Sequence, residues 1–125
     1  MGSQAILFND DKKSVLLIKR CEFPVWTLPG GRRDGKELFP TTAERETFEE
    51  AGLKAKVLKY VGKYSVWYFP PAGVTHVYVC KKVRGKLIKG SEEVSEVKYW
   101  PIDRLPMNLL PYLRERIRDA VLLIS

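Results

Sequence analysis

The sequence predicts a sandwich of helices and a mixed β-sheet, of the α/β or the α+β class. Short β-rich runs and helical patterns follow one another along the 125 residues in the order strands, helix, strands, helix, which is typical of such layered folds. The chain is 45% hydrophobic and 30% charged, and a chain of this size can bury a core of its own. We therefore expect residues 1–125 to form one domain.

Extended segments are expected first. Residues 4–8 and 14–19 are β-rich, and the polar run at 9–13 between them is a turn signal, so we expect these two strands to form a β-hairpin. A third extended segment ends at the breaker Pro29-Gly30-Gly31. A charged loop over residues 32–40 then leads to the first helix.

The first helix is predicted over residues 41–51. Thr41 and Glu44 have the spacing of a capping box, in which two side chains bond to the free backbone groups of a helix N-terminus. Gly52 stands where helices commonly end in a left-handed residue. Both ends of this helix are therefore predicted from local signals.

Three further strands and a closing helix are expected in the second half. The strands are predicted at residues 57–68, 74–83 and 97–102, between glycine and proline turn signals. Asn108 is a candidate N-cap for the last helix, with Pro111 in its first turn. The apolar residues of this helix fall at helical spacing and predict one core-facing stripe: Leu109, Leu110, Leu113, Ile117, Ala120, Val121 and Ile124.

Charge and residue usage exclude several classes of protein. The net charge of +7 favours polyanionic partners such as nucleotides. Cys21 and Cys80 are too few for a disulfide framework, and a single histidine, His76, argues against a zinc site or a serine triad. No apolar run approaches the ~18 residues of a membrane span, and the N-terminus lacks a signal-peptide pattern. We therefore expect a cytoplasmic protein with no membrane partner.

The predicted first helix carries three glutamates on one face. Glu46, Glu49 and Glu50 stand at i, i+3 and i+4, within an arc of roughly 100°, so we expect them to point out of the core together and to repel one another. Arg45 can pair with Glu49, whereas Glu46 and Glu50 have no such neighbour on the helix. A divalent cation would relieve the repulsion, because carboxylate oxygens suit Mg²⁺ or Mn²⁺. A solvated acidic face is the alternative.

The residues around these glutamates form a longer pattern. Residues 31–53 read GRRDGKELFPTTAERETFEEAGL, with glycine, glutamate and arginine at the separations of the Nudix box. The segment resembles this signature of the Nudix hydrolases (MutT-like), and Thr47 is the one departure, at a position where an aliphatic residue is expected. Residues 26–31 and 93–103 are similar to the family as well. The resemblance covers nearly the whole chain and implies the α/β/α sandwich of Nudix proteins.

The resemblance implies a metal centre and its base. Glu46, Glu49 and Glu50 match the metal-binding and base positions of the Nudix helix, and Gly30 matches a position whose backbone carbonyl binds metal. A carboxylate from a late loop is also expected as a ligand or base. The candidates for it are Glu93 first, then Glu92 or Glu96.

The resemblance also implies structural positions within the box. Glu37 and Arg45 match a pair that braces the loop against the helix, and a charge-assisted pair would hold such a loop in place. Gly31 and Gly52 match the glycines at either end of the box.

Substrate contacts are expected on both sides of the box. Arg20, Arg32 and Arg33 flank the glycines and are candidates for clamping phosphates, with solvated loop charges as the alternative. Trp67 and Tyr68 belong to an aromatic cluster and are candidates for stacking a purine base, which we expect to be adenine, with core packing as the alternative.

The implied activity is hydrolysis of a phosphoanhydride with Mg²⁺ or Mn²⁺ as cofactor. The substrate would be a small nucleotide, a nucleoside diphosphate linked to another moiety: a dinucleoside polyphosphate, ADP-ribose or a (d)NTP. Two alternatives share the fold: a non-catalytic module that binds nucleotide or RNA, and an isopentenyl diphosphate isomerase. All box glutamates are present, which favours the hydrolase and makes nucleic acid a less expected partner. A monomer and a homodimer are both compatible with the sequence.

Overall fold

The computed structural model describes residues 1–65 and 73–125. In these ranges the chain forms seven strands, two α-helices and a short 3-10 turn at Ile102–Arg104. The strands and helices, in chain order, are β1 Gly2–Leu7, β2 Ser14–Arg20, β3 Trp26–Thr27, β4 Gly30–Arg32, α1 Phe39–Ala51, β5 Leu53–Tyr64, β6 Thr75–Gly85, β7 Val94–Pro101 and α2 Leu113–Ile124. Neither helix of the described ranges has the length and apolar character needed to cross a bilayer.

The strands form two sheets. The larger sheet has the order β4-β1-β6-β5, and β1 runs parallel to β6 and antiparallel to β4, so the predicted mixed sheet is confirmed. The smaller sheet has the order β3-β2-β7 and is antiparallel.

The predicted hairpin of the first two strands is wrong. Strands β1 and β2 lie in different sheets, and the antiparallel bridge between Phe8 and Val15 and the hydrogen bond from the Asn9 N–H to the Ser14 carbonyl close the turn between them. Residues 5–7 and 15–18 have no exposed surface, so each strand has apolar neighbours on both faces. A strand buried on both faces belongs inside a layered core, and each of these two strands is placed centrally in its own sheet.

The two helices cover opposite sides of the strand layers. Alternate residues of β1 point to opposite faces, as the pleat requires. Ala5 and Leu7 pack in the cluster that contains α1 residues such as Ala43, whereas Ile6 packs in the cluster that contains Ile117 of α2. The sandwich expected from the sequence is therefore confirmed.

Helix α1 begins earlier than predicted. Its N-cap is Leu38, which makes no side-chain cap bond, and Pro40 lies in the first turn, where its fixed φ suits a helix start. Thr41 is therefore inside the helix and the predicted capping box is wrong. The C-terminal prediction is confirmed, because Gly52 has a φ of 76° and its N–H donates to the Phe48 carbonyl at 3.0 Å.

Helix α2 begins later than predicted. Asn108 does not cap it, because its Nδ2 donates to the Pro24 carbonyl at 2.7 Å and the helix starts only at Leu113, beyond Pro111. The predicted stripe nevertheless faces the core, with Leu113 and Ile117 among its fully buried residues.

Strand bounds differ from prediction at β5 and β7. Strand β5 begins at Leu53 rather than at residue 57, and the end of the predicted strand, residues 66–68, lies outside the described residues. Strand β7 begins at Val94 rather than at residue 97. The pairing of β5 with β6 shifts register between Tyr60 and Gly62, as expected of a bulge at this glycine.

Candidate active site

Strand β4 brings the glycines of the site against helix α1. Gly30 and Gly31 pair with Gln4 and Ser3 of β1. A Cβ atom at Gly31 would lie 2.8 Å from the carboxyl carbon of Glu46, so the absence of a side chain lets that carboxylate approach the strand. The glycines therefore place backbone groups within reach of the helix glutamates.

The loop between β4 and α1, residues 33–38 (the box loop), is held against α1 by Arg45. Its Nε and Nη2 donate to the two carboxylate oxygens of Glu37 at 2.9 and 3.1 Å, and Nη2 also donates to the Arg32 carbonyl at 3.1 Å. The Thr42 hydroxyl donates to Glu37 at 2.7 Å. These hydrogen bonds, above all those from Arg45, lower the pKa of Glu37 to about 2. Such a bidentate ion pair fixes the orientation of the two side chains as well as their distance, and so holds the loop against the helix.

Arg45 also joins two of the helix glutamates. Its Nη1 lies 2.8 Å from Glu46 and 3.2 Å from Glu49, so carboxylate oxygens of these two residues are within about 6 Å of each other. Glu46 has no basic residue four positions away, but the guanidinium of the adjacent Arg45 turns toward it. The prediction that the three carboxylates point out of the core together is wrong for Glu50, since the exposed fractions of Glu49, Glu46 and Glu50 are 51%, 16% and 6% of the side chain.

Glu50 is the most enclosed carboxylate of the site. It accepts a hydrogen bond from the Gly30 N–H at 2.8 Å and lies 3.8 Å from the guanidinium of Arg20 on β2, so it too has a partner that the helix alone did not reveal. Burial raises the pKa of Glu50 to about 8, and the nearby charge of Glu46 adds to the rise. Burial raises the pKa of Glu46 as well.

The late loop brings another carboxylate to the Arg20 guanidinium that Glu50 contacts. Arg20 Nη2 lies 3.4 Å from Glu93, whose side chain is 69% exposed, and 3.2 Å from Glu22. Of the three late-loop candidates, Glu93 is the one that shares a partner with Glu50. Glu92 instead offers its backbone carbonyl to Cys21, and Glu96 lies on β7 opposite Lys19.

A cavity of about 490 Å³ adjoins the glycines, a size suited to a small molecule. It is lined by residues 1–4, 30–32 and 73–75, together with Arg20, Thr27, Leu28 and Leu110. Arg20 and Arg32 are thus at the cavity, whereas Arg33 stacks over the Phe39 ring at 4.8 Å. Trp67 and Tyr68 lie outside the described residues. Sequence reasoning missed the wall formed by β1 and the start of β6, because no local motif marks it.

The donor set suits a hard divalent cation. Glu46, Glu49 and Glu50 offer carboxylate oxygens near β4. Glu50 is buried and Glu46 is partly buried, where an uncompensated negative charge is costly. In the described ranges, no three acidic, histidine or cysteine side chains are grouped so that they could hold a metal as they stand. Arg45 now bridges Glu46 and Glu49, so the cation would compete with that contact.

Comparisons with known proteins identify the family of the chain. The family model of the NUDIX domain matches residues 2–122. A Bacillus subtilis protein provisionally named 8-oxo-dGTP diphosphatase is 30% identical over 118 residues, 94% of this chain and 77% of that protein. An ADP-ribose pyrophosphatase of Methanocaldococcus jannaschii is 32% identical over 106 residues, 81% of this chain and 61% of that protein.

Solved structures show the same fold. The crystal structure of a MutT NUDIX hydrolase from Burkholderia pseudomallei aligns with a TM-score of 0.83 at 24% identity, over 94% of this chain and 95% of that one. With a family match over nearly all of its length, this chain belongs to the NUDIX family.

Proposed function

We propose that this NUDIX pyrophosphohydrolase hydrolyses the phosphoanhydride of a nucleoside diphosphate linked to another moiety, with Mg²⁺ or Mn²⁺ held by Glu46, Glu49, Glu50 and the Gly30 carbonyl. The observation that carries the proposal is the placement of the buried Glu50 carboxylate on the Gly30 N–H, at 2.8 Å, beside a cavity of nucleotide size. Gly30 begins β4 and Glu50 lies near the end of α1. Arg45 holds these two elements together through its hydrogen bonds to Glu37 and to the Arg32 carbonyl.

The metal, when bound, supplies charge neutralisation and a more acidic water. The protein contributes the positioning. Glu50 and Glu46 are held against β4, so their oxygens stay in place without reorganisation. Glu49 and Glu93 are the exposed carboxylates at the rim, and we assign to one of them the uptake of the proton from the attacking water.

Arginines are proposed to hold the phosphates. Arg20 and Arg32 line the cavity, and Arg20 already contacts Glu50 and Glu93, so it would move from carboxylate to phosphate as substrate enters. Arg33 stays a prediction, since its guanidinium is over Phe39. The stacking role of Trp67 and Tyr68 also stays a prediction.

The substrate class is proposed from the relatives. Proteins that the chain resembles are named for 8-oxo-dGTP and for ADP-ribose, so a small nucleotide is the expected substrate, from the (d)NTP, ADP-ribose or dinucleoside polyphosphate class. The protein would act in the cytoplasm as a monomer or homodimer.

A non-catalytic module that binds nucleotide or RNA is the second candidate. Strands β5 and β6 carry exposed lysines, among them Lys54, Lys56, Lys81 and Lys82. A basic surface of this kind attracts polyanions. Turnover of a small nucleotide separates the two functions.

The test is a substrate panel assayed with Mg²⁺ and with Mn²⁺. ADP-ribose, diadenosine polyphosphates, nucleotide sugars and (d)NTPs are compared for release of monophosphate or pyrophosphate. Glu49→Gln and Glu50→Gln should each lower kcat at least about 10²-fold. Glu115→Gln, an exposed glutamate of α2, is the matched control and should keep wild-type turnover. Near-normal kcat in both site variants, or no metal-dependent product with any nucleotide, would contradict the proposal.

A further inference from the structure

Gln4 lies in the middle of the cavity wall. It is on β1, between Gly30 of β4 and Val77 of β6. Its side chain lies against Gly30, since a Cβ atom placed there would be 2.8 Å from Gln4 Cγ. Gln4 therefore adjoins Gly30, whose carbonyl is a proposed metal ligand and whose N–H is bonded to Glu50.

A buried arginine of helix α2 holds the side-chain amide of Gln4 by a hydrogen bond. Arg116 of α2 is 3% exposed, and its Nη1 donates to Gln4 Oε1 at 2.7 Å. The guanidinium also lies over the rings of Tyr64 and Tyr112, 4.9 and 4.8 Å from their centroids. Tyr64 is held in turn by donating its hydroxyl to Asp119 at 2.6 Å. The cation is therefore fixed on three sides, and the amide it contacts is fixed with it.

The contact with Arg116 decides which end of the amide faces the cavity. Guanidinium nitrogens are donors only, so the oxygen of Gln4 must face Arg116 and the Nε2 group is left over. Within residues 1–65 and 73–125, the one hydrogen bond made by the Gln4 side chain is the one that Oε1 accepts from Arg116. None of the residues that line the cavity in these ranges has a carboxylate. The wall therefore presents a fixed donor and no charged acceptor.

We propose that Gln4 is a specificity-determining residue that donates through Nε2 to a carbonyl oxygen of the substrate's base, and that Arg116 is its positioning residue. The inference rests on the proposed function, because the cavity is taken as the nucleotide site. A 6-oxopurine offers an acceptor to this wall, whereas the amino group of a 6-aminopurine would face a second donor. The preference is opposite to the adenine preference expected from the aromatic segment at residues 66–71.

The test compares ITP with ATP, two nucleotides that differ at the 6-position of the purine and in the protonation of N1. The wild type should show a kcat/KM about 5- to 10-fold higher for ITP, the worth of one hydrogen bond. Gln4→Met keeps the volume without the donor and should bring the ratio near one. Gln4→Glu offers an acceptor in place of the donor and should favour ATP. An unchanged ratio in both variants, or a wild type that prefers ATP, overturns the proposal.

Arg116 is tested by its effect on the same ratio. Arg116→Met frees the amide to turn and should lower the ITP preference through KM, with kcat for ITP largely kept. Arg116→Lys retains a donor and should restore part of the preference, which a merely structural role would not predict. Arg118→Met, an exposed arginine of the same helix, is the control and should leave the ratio unchanged. An ITP preference that survives in Arg116→Met removes the positioning role.

Calorimetric titration of IMP and AMP without metal separates this inference from the proposed function. If the wild type releases product from no nucleotide of the substrate panel, the proposed function fails, and tighter binding of IMP that is lost in Gln4→Met still supports Gln4. Equal affinity of the wild type for IMP and AMP overturns the role of Gln4, even if hydrolysis is observed.

Discussion

Replacing Gly30 by alanine should disturb the site through the backbone rather than through chemistry. The new Cβ would overlap the Ser3 carbonyl oxygen and would lie 2.8 Å from Cγ and 2.9 Å from Cα of Gln4. Two of these three neighbours are main-chain atoms of β1, so a rotamer change does not relieve the overlap. Strand β4 must instead move away from β1, and the Gly30 N–H moves away from Glu50 with it.

Two effects should lower the free energy of unfolding of Gly30→Ala: the overlap with β1 and the weaker hydrogen bond to Glu50. Overpacking of a well-packed position costs about 1–3 kcal/mol, and weakening a hydrogen bond to a carboxylate costs about 1.5 kcal/mol or more. We expect a loss of about 3 kcal/mol in the free energy of unfolding, which lowers Tm by about 10 °C in a domain of this size. Displacement of Glu50 by as little as about 1 Å should lower kcat about 10²-fold.

Thermal unfolding and steady-state kinetics measure both effects. Gly35→Ala is the matched control, because Gly35 has a φ of 54° and a Cβ added to it would meet no atom within 4 Å. That substitution should cost about 1–2 kcal/mol from the left-handed backbone alone and leave kcat unchanged. If Gly30→Ala melts no lower than Gly35→Ala and keeps wild-type kcat, the distance between β4 and β1 does not require a glycine at position 30.

Three other perturbations test the brace and the acidic centre. Arg45→Ala should lower both Tm and kcat/KM, because Arg45 contacts Glu37, two helix glutamates and the β4 backbone. An unaltered Tm would show that these contacts do not contribute to stability. The pKa of Glu37 is lowered to about 2, so its contribution to stability is present above pH 4.5 and is lost as pH falls toward 2. Unfolding curves of Glu37→Gln should therefore lack that part of the acid dependence, and curves parallel to the wild type would refute it. Adding Mg²⁺ to chelator-treated protein should raise Tm, since binding to the folded state stabilises it, and Glu50→Gln should reduce this shift. An equal shift in the variant would place the cation away from Glu50.

Local patterns of the sequence were sufficient for the fold class and for part of the site. The spacing of Glu46, Glu49 and Glu50 predicted a shared acidic face, and Gly52 predicted the end of α1, because both depend on one helix and its own termini. The start of α1 was misplaced, since Pro40 suits the first turn as well as Thr41 suits a cap. These inferences need only a short window of the chain.

The tertiary structure alone decided the partners of those residues. That β1 and β2 lie in different sheets, that Glu50 meets Gly30 and Arg20, and that Arg116 holds Gln4 across a separation of 112 residues are outcomes of packing. Such contacts form where burying apolar strands brings distant segments together, and no periodicity along the chain encodes which segments those are. For that reason the three helix glutamates could be predicted from the sequence, whereas the wall of the cavity could not.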